Sequence, residues 1–238
     1  MEKKDLLKDV IKHIDIKSYN STELVDAMRN MSFTSRDTAR AADILMMMCK
    51  EKECTNILTL AGSTSAAGCM QVYVDMVRNK MIDVVVATGA SIIDMDLFEA
   101  LGYKHYIGEK ENVIPDTTLR DLYIDRIYDT YIDEEELQAC DHTTFEIANM
   151  LEARPYSSRE FIYEIGKWLH EGNAVKKDSL IQTCYECGVP IFVPAFSDSS
   201  AGFGIGKHQW ERMQKGEKYL SIDSVKDFVE LTQIKMQA

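Results

Sequence analysis

The sequence lacks the features that mark membrane and secreted proteins. No apolar run approaches the roughly 18 residues that a membrane-spanning helix requires. The start, MEKKDLLKDVIKHIDIKSY, carries charges every few residues and has no apolar centre of the kind found in signal peptides. These absences predict a cytoplasmic protein. The length of 238 residues is compatible with one large α/β domain or two small ones.

Basic residues are also scarce. The chain has 27 Lys and Arg against 39 Asp and Glu, which gives a net charge of −12. A nucleic-acid partner, which requires a basic stripe, is therefore not expected. An acidic surface suits a cationic small molecule, because it raises the local concentration of cations. It equally suits solubility alone, so charge does not decide the function.

Cysteines are few and scattered, with six in the whole chain. A disulfide framework is not expected in such a chain. Cys184 and Cys187 have the CxxC spacing of zinc and redox sites, but no second CxxC or histidine pair accompanies them. Within SLIQTCYECGVP, the pair is predicted to lie in the last turn of a helix that Gly188 ends.

The first fifty residues have the spacing of helices. Apolar residues recur at helical intervals in KDLLKDVIKHI and in STELVDAMRNM, and a longer run begins at Thr34 and Ser35. We therefore predict a helical N-terminal region over residues 1–50 and a second region over 51–238.

From Thr55 onward, apolar strands end in small polar loops and are followed by helices. The pattern occurs in NILTLAGSTSAAG, in MIDVVVATGAS and in PIFVPAFSDSSAGFGIG. Strands that alternate with helices predict a parallel sheet with right-handed crossovers and helices on both faces. Ligands of such sheets bind beyond the carboxyl ends of the strands, where backbone N–H groups can face phosphates.

Neither standard phosphate-binding fingerprint is present, since the chain has no GxGxxG and no GxxxxGK[ST]. The pattern alone therefore predicts only an α/β ligand-binding domain.

An acidic, tyrosine-rich stretch separates the second and third of these strands. It runs through DRIYDTYIDEEELQACDHTTFEIANMLEAR, and its second part has helical spacing. Tyrosines beside carboxylates can hold an ammonium ligand. The acidic run from Asp133 to Glu136 also fits a solvated helix start, where the helix dipole favours negative charge.

Three of these motifs, in this order, resemble the deoxyhypusine synthase family, and in particular its bacterial and archaeal deoxyhypusine synthase-like branch. They are MIDVVVATGAS, RPYSSREFIYEIGKWL and GVPIFVPAFSDSSAGFGIG, and DRIYDTYI is also typical of that branch. The resemblance runs from about Tyr19 to Ala238. It implies a Rossmann-like fold over residues 51–238, NAD as cofactor, and a homotetramer with active sites between subunits.

The resemblance also implies a reaction. In the family, a carbon beside an amine of a polyamine such as spermidine loses hydride to NAD. The aminobutyl group then passes through an active-site lysine to an acceptor amine. That acceptor is a lysine of the translation factor 5A precursor, giving deoxyhypusine on the way to hypusine, or a free diamine, giving homospermidine.

Matching the family's motifs residue by residue gives the expected site. The expected cofactor contacts are Thr64, Ser65, Thr88, Gly89, Ala90, Asp198 and Ser200. Asp94 and Asp96 fall where the family has a Glu-Glu-Asp cluster, but Met95 replaces one carboxylate. Phe203 stands where the family has an aspartate that holds the amine of the polyamine. The polyamine side is thus less well matched than the cofactor side.

The family's Trp-Gly-Lys motif, which carries the catalytic lysine, has no match in these residues, so the catalytic residue is unknown. Lys207 lies near the third loop but does not match that motif. We expect the 238 residues alone to be inactive, as a piece of a longer enzyme. The alternatives are a non-catalytic relative that binds NAD or a complete paralogue, and an unrelated nucleotide-binding protein.

Overall fold

The computed structural model describes residues 1–108 and 113–237, and it describes side chains as far as residue 234. The described strands are β1 (Ile57–Leu60), β2 (Val84–Ala87), β3 (His105–Ile107), β4 (Ile124–Ile127), β5 (Thr130–Asp133), β6 (Pro155–Tyr156), β7 (Ile191–Phe192) and β8 (Ser221–Ile222). The described α-helices are α1 (Lys3–Leu6), α2 (Thr22–Met28), α3 (Phe33–Lys50), α4 (Met70–Arg78), α5 (Phe98–Ala100), α6 (Asp116–Asp121), α7 (Glu134–Met150), α8 (Ser158–Trp168), α9 (Leu180–Cys187), α10 (Gly202–Gln214) and α11 (Ser224–Gln237). Wider helical turns span Ser65–Cys69, Ala90–Leu97 and Leu169–Asn173.

A parallel sheet of order β1-β2-β7 forms the centre of the fold. Its strands are the three apolar runs that precede the small polar loops. Val84, Val85 and Phe192 are almost completely buried, whereas Ile57 of β1 remains 44% exposed. Helices connect and cover these strands, and their apolar faces join one large core with the sheet. The predicted α/β class with a parallel sheet is confirmed.

A second, antiparallel sheet of order β3-β5-β4 is built from the tyrosine-rich stretch. The sequence did not indicate it, because the turn between β4 and β5 is Tyr128-Asp129 instead of the usual Asn-Gly. Tyr128 adopts a φ of 55° there, a conformation that most side chains avoid. A short parallel pair, β6 with β8, lies elsewhere in the molecule.

The prediction of a helix over KDLLKDVIKHI is confirmed only for α1 and is wrong for residues 7–14. There the chain is extended and adds to the edge of β3, with Val10 bridged to Tyr106. The Ile11 N–H donates to the His105 carbonyl at 2.9 Å, and the Ile107 N–H donates to the Asp9 carbonyl at 2.7 Å. Pairing with an open strand edge outweighs the local helical pattern.

The other helical predictions in the first fifty residues are confirmed by α2 and α3, which pack against each other. The division into residues 1–50 and 51–238 stays a prediction. Residues 9–11 pair directly with the larger region, so the two parts are not separate over their whole length.

The CxxC pair lies where the sequence predicts. Cys184 is buried and Cys187 is exposed in the last turn of α9, which ends at Gly188 with a φ of 71°. Within the ranges that the structure describes, no group of three His, Cys, Asp or Glu side chains could hold a metal ion. In the same ranges, no helix has the length and apolar character needed to span a membrane.

Candidate functional site

The loops after β1 and β2 are joined by hydrogen bonds from small side chains. The Ser91 hydroxyl donates to the Gly62 carbonyl at 2.8 Å and lies 3.0 Å from the Thr88 hydroxyl. The Ser65 hydroxyl donates to the Ser91 carbonyl at 3.0 Å. Serine is short enough to bridge two backbones that lie this close, which explains the small residues in both loops.

The loop after β7 packs against the loop after β2 at Gly89. A Cβ atom at Gly89 would lie 2.5 Å from the Cβ of Ser199, closer than real Cβ contacts allow. Glycine is therefore required here by close approach and not by its φ, which is an ordinary −57°. The three loops thus form one continuous surface at the carboxyl edge of the parallel sheet.

The predicted cofactor residues differ in exposure on this surface, and Ala90 and Ser200 are half-buried. Thr64, Thr88 and Asp198 are exposed, whereas Ser65 and Gly89 are buried and hold the loops together. The Thr64 hydroxyl accepts a hydrogen bond from the Tyr73 hydroxyl at 2.9 Å.

Asp198 differs from the other carboxylates of this edge. Among the described residues, no donor or cation partners its side chain. The backbone N–H of Asp198 donates to the Ala195 carbonyl at 2.9 Å, so the loop that carries the carboxylate is held while its oxygens remain open to a ligand.

The two carboxylates predicted to hold a polyamine instead cap helices. Asp94 accepts the backbone N–H groups of Ser200 (2.9 Å) and Ala201 (3.1 Å), which immediately precede α10. Burial raises the pKa of Asp94, and the two N–H groups oppose that rise. The negative charge lies at the positive end of a helix, a favourable place for it.

Asp96 has the same role on another helix. Its oxygens accept the N–H groups of Leu180 and Ile181, each at 2.8 Å, in the first turn of α9. The residue is 1% exposed, and burial raises its pKa to about 6 despite these two hydrogen bonds. A polyamine could reach Asp96 only if α9 lost this cap. The assignment of Asp94 and Asp96 to substrate stays a prediction, and both have structural partners here.

Asp141, on α7, is a carboxylate that sequence reasoning missed. The Ser200 hydroxyl donates to one of its oxygens at 3.0 Å. Burial raises the pKa of Asp141 to about 6, and the nearby Asp94 adds to the rise. Asp141 lies 59 residues before Ser200, and no motif links the two positions. Only the packing of α7 against α10 could have revealed the contact.

Asp141 lines a cavity of about 180 Å³ between α7 and α10. The other lining residues are Gln138, His142, Phe145, Phe203, Gly204 and Lys207. Phe203 is 75% exposed, so its ring is free to contact a ligand. Lys207 extends its Nζ to 4.7 Å from the centre of the Phe145 ring. The cavity therefore combines one carboxylate, one lysine ammonium and aromatic rings. Of these groups, the Asp141 carboxylate and the exposed Phe203 ring are the kinds that can contact an ammonium ligand.

The site residues fit a dinucleotide. An unpartnered carboxylate at the end of a parallel strand is the kind of group that accepts hydrogen bonds from ribose hydroxyls in such folds. Asp198 has this position, and Thr64 and Thr88 add exposed hydroxyls on the neighbouring loops.

Comparisons with known proteins identify the family of the chain. The family model described as deoxyhypusine synthase matches residues 23–238. A deoxyhypusine synthase-like protein of Caulobacter vibrioides is 65% identical over 237 residues, covering 100% of this chain and 64% of that protein. A deoxyhypusine synthase-like protein of Coxiella burnetii is 57% identical over 236 residues, covering 99% of this chain and 66% of that protein.

A solved structure described as a putative deoxyhypusine synthase from Entamoeba histolytica has a similar fold. Its TM-score is 0.63 at 20% identity, and the match covers 96% of this chain and 78% of that one. At this identity the likeness concerns the fold alone. The chain spans 64–66% of the length of the Caulobacter and Coxiella relatives.

Proposed function

The chain belongs to the deoxyhypusine synthase family, and from that membership we propose that it binds NAD on the three strand-end loops and serves in the transfer of an aminobutyl group from a polyamine to an acceptor amine. The donor would be spermidine or a similar polyamine. The acceptor would be a lysine of the translation factor 5A precursor, or a diamine that yields homospermidine. The protein would act in the cytoplasm as a homotetramer.

The observation that supports this proposal most directly is the open carboxylate of Asp198. No group in the described part of the chain pairs with its charge, whereas Asp94 and Asp96 each cap a helix. Bound NAD would supply the hydride acceptor that oxidation of a carbon beside an amine requires. Asp198 would orient the cofactor by accepting hydrogen bonds from its ribose, and Thr64 and Thr88 would contact it from the other two loops.

The polyamine would lie beside the cofactor, over the cavity between α7 and α10. Asp141 would accept hydrogen bonds from one of its ammonium groups, and the exposed ring of Phe203 would contact the same group through its π face. Asp141 and Ser200 are hydrogen-bonded, so the cofactor side and the polyamine side of the site share a direct contact. We assign no lysine among the described residues to the covalent step.

A titration of NAD binding on the full-length protein tests the cofactor assignment. Replacing Asp198 by Ala removes a charged hydrogen-bond acceptor, which costs about 1.5–3 kcal/mol, or roughly ten- to hundredfold in the dissociation constant. Asp37→Ala is the matched control, since Asp37 is an exposed carboxylate on α3. Equal NAD affinities for the two variants would overturn the assignment.

A second candidate function is a non-catalytic subunit that binds NAD or a complete paralogue. The incomplete match to the family's polyamine residues, with Phe203 in place of an aspartate, favours it. Incubating the full-length protein with NAD, spermidine and putrescine and measuring products by mass spectrometry separates the two functions. Homospermidine, or aminobutyl transfer to an added 5A precursor, supports the transferase. NAD binding without either product supports the subunit.

A further inference from the structure

The extended N-terminal segment reaches from the antiparallel sheet to the first loop of the proposed NAD site. We call residues 9–14 the N-terminal strap. After pairing with β3, the strap crosses to the helical turn Ser65–Cys69, where the Ile14 N–H donates to the Gly68 carbonyl at 2.9 Å. Thr64 and Ser65, which are predicted to contact NAD, lie just before and at the start of that turn.

The strap and this turn are pressed together at Gly68. A Cβ at Gly68 would lie 2.9 Å from the carbonyl oxygen of Lys12, and its φ of +94° is one that other residues rarely adopt. Both the close approach and the backbone conformation therefore require glycine. The shape of the turn is fitted to the strap that covers it.

The His13 side chain, in the strap, forms hydrogen bonds to Met70 and to Glu99. The Met70 N–H, at the start of α4, donates to its Nδ1 at 3.2 Å. Its Nε2 lies 2.6 Å from a carboxylate oxygen of Glu99 on α5. Because Nδ1 accepts a hydrogen bond, the ring hydrogen is on Nε2 and is donated to Glu99.

Glu99 is itself firmly held. His105 Nδ1 lies 2.9 Å from its second oxygen, and the Lys176 ammonium also bonds to it. Burial alone would raise the pKa of Glu99. Hydrogen bonds from the two histidines and the lysine outweigh burial and hold that pKa well below its usual range. The carboxylate is thus a charged, fixed anchor for the His13 ring.

We propose that His13 is a positioning residue for the cofactor loop. Its Nδ1 accepts the Met70 N–H and thereby holds the turn Ser65–Cys69 and the adjoining Thr64 in the shape that binds NAD. The bond to Glu99 keeps the ring hydrogen on Nε2, which leaves Nδ1 free to accept. The role in cofactor binding rests on the proposed function above. The mechanical link from strap to loop rests only on the hydrogen bonds just described.

Two substitutions separate the two hydrogen bonds of His13. In His13→Asn, the amide oxygen can occupy the place of Nδ1 and accept from Met70, but the shorter side chain does not reach Glu99. In His13→Gln, the amide nitrogen can occupy the place of Nε2 and donate to Glu99, but nothing accepts from Met70. Each variant keeps one hydrogen bond and loses the other, so each serves as the control for the other.

Amide hydrogen exchange in the full-length protein without NAD tests the link directly. The Met70 amide is expected to exchange about tenfold faster in His13→Gln, which has lost its acceptor, and at the wild-type rate in His13→Asn. Titration with NAD then tests the consequence. The dissociation constant is expected to rise about fivefold to tenfold in His13→Gln and to stay within about twofold in His13→Asn.

Equal NAD affinities for the two variants would overturn the proposal, because a merely structural histidine would affect both alike. Equal exchange rates at Met70 would overturn it as well. If the wild-type protein bound no NAD, the proposed function would fail, and the exchange rates would still decide the link. If Asp198→Ala weakened NAD binding while His13→Gln did not, the proposed function would stand and the positioning role would fail.

Discussion

Four carboxylates meet at one edge of the parallel sheet, and they fall into two pairs with different surroundings. On the side of the second loop, Asp94 and Asp96 each accept two backbone N–H groups at the start of a helix. On the side of the third loop, Asp198 is exposed and no described residue partners its side chain, and the Ser200 hydroxyl is the only described group that donates to Asp141. The first pair holds the fold together, and the second pair has oxygens left for a ligand.

The difference shows that a carboxylate at a strand end is not in itself a ligand group. A buried carboxylate that satisfies the first turn of a helix stabilises the fold, since unpaired N–H groups there would be costly. A carboxylate that the fold leaves unpartnered is available for binding. The comparison predicts that substitutions in the first pair lower the free energy of unfolding, whereas substitutions in the second pair weaken ligand binding without lowering it.

The largest expected effect is the loss of stability in Asp96→Ala. The change leaves the N–H groups of Leu180 and Ile181 unpaired in a buried place, at a cost of about 1–3 kcal/mol each. Removing a carboxylate whose pKa is raised by burial offsets part of this cost. We expect the free energy of unfolding to fall by about 2–3 kcal/mol in urea denaturation. Asp37→Ala is again the control, and a loss no greater than that of the control would remove Asp96 from the structural pair.

Asp141→Asn should raise the free energy of unfolding, in contrast to Asp96→Ala. Above pH 6 the wild-type carboxylate is charged in a half-buried place, and the asparagine removes that cost. Discounted for solvent screening, the gain is about 1 kcal/mol at pH 7.5, measured by urea denaturation. The same variant should bind spermidine more weakly, since it has lost the charge that pairs with ammonium.

The pH dependence of this gain has a definite sign. The folded pKa of Asp141 is about 6, above the ordinary value of 3.8, so the folded state binds more protons between these pH values. The wild type therefore loses stability relative to Asp141→Asn as the pH rises from about 4 to about 6. The difference in the free energy of unfolding between Asp141→Asn and wild type should reach its full value above pH 6 and vanish below pH 4. A gain that persisted at low pH would show that charge burial is not its cause.

The smallest expected effect belongs to Phe203→Asp. The new carboxylate would be largely exposed, and exposed ion pairs contribute little. We expect the preference for spermidine over putrescine, taken as the ratio of their dissociation constants, to rise by about twofold to fivefold. Both constants should be measured at one ionic strength because screening alters them. An unchanged ratio would mean that Phe203 does not contact the polyamine.

The central sheet could be predicted from the sequence because its signals are local. Each strand is a run of β-branched and apolar residues that ends at small polar residues, and Gly188 ends α9 as its position suggested. The antiparallel sheet could not be predicted, since Tyr128 lies in a turn conformation that other residue types favour. The extended strap could not be predicted either, because it depends on the distant edge of β3.

The sequence predicted the position of the site but not the role of each carboxylate, because those roles depend on contacts between distant residues. The loops after β1, β2 and β7 were expected to meet, since the ends of neighbouring parallel strands share one edge. What each carboxylate does there depends on which helix it faces, and Asp96 faces a helix that begins 84 residues later. Asp141 and His13 act through partners more than fifty residues away, and no sequence spacing reveals such contacts.

The most direct test of the two-pair account is a titration of NAD binding on wild type, Asp198→Ala and Asp96→Ala in the full-length protein, below the unfolding temperature of each. The account predicts that Asp198→Ala raises the dissociation constant roughly ten- to hundredfold, whereas the folded Asp96→Ala stays within about threefold of wild type. A larger rise of the NAD dissociation constant in Asp96→Ala than in Asp198→Ala would contradict the account.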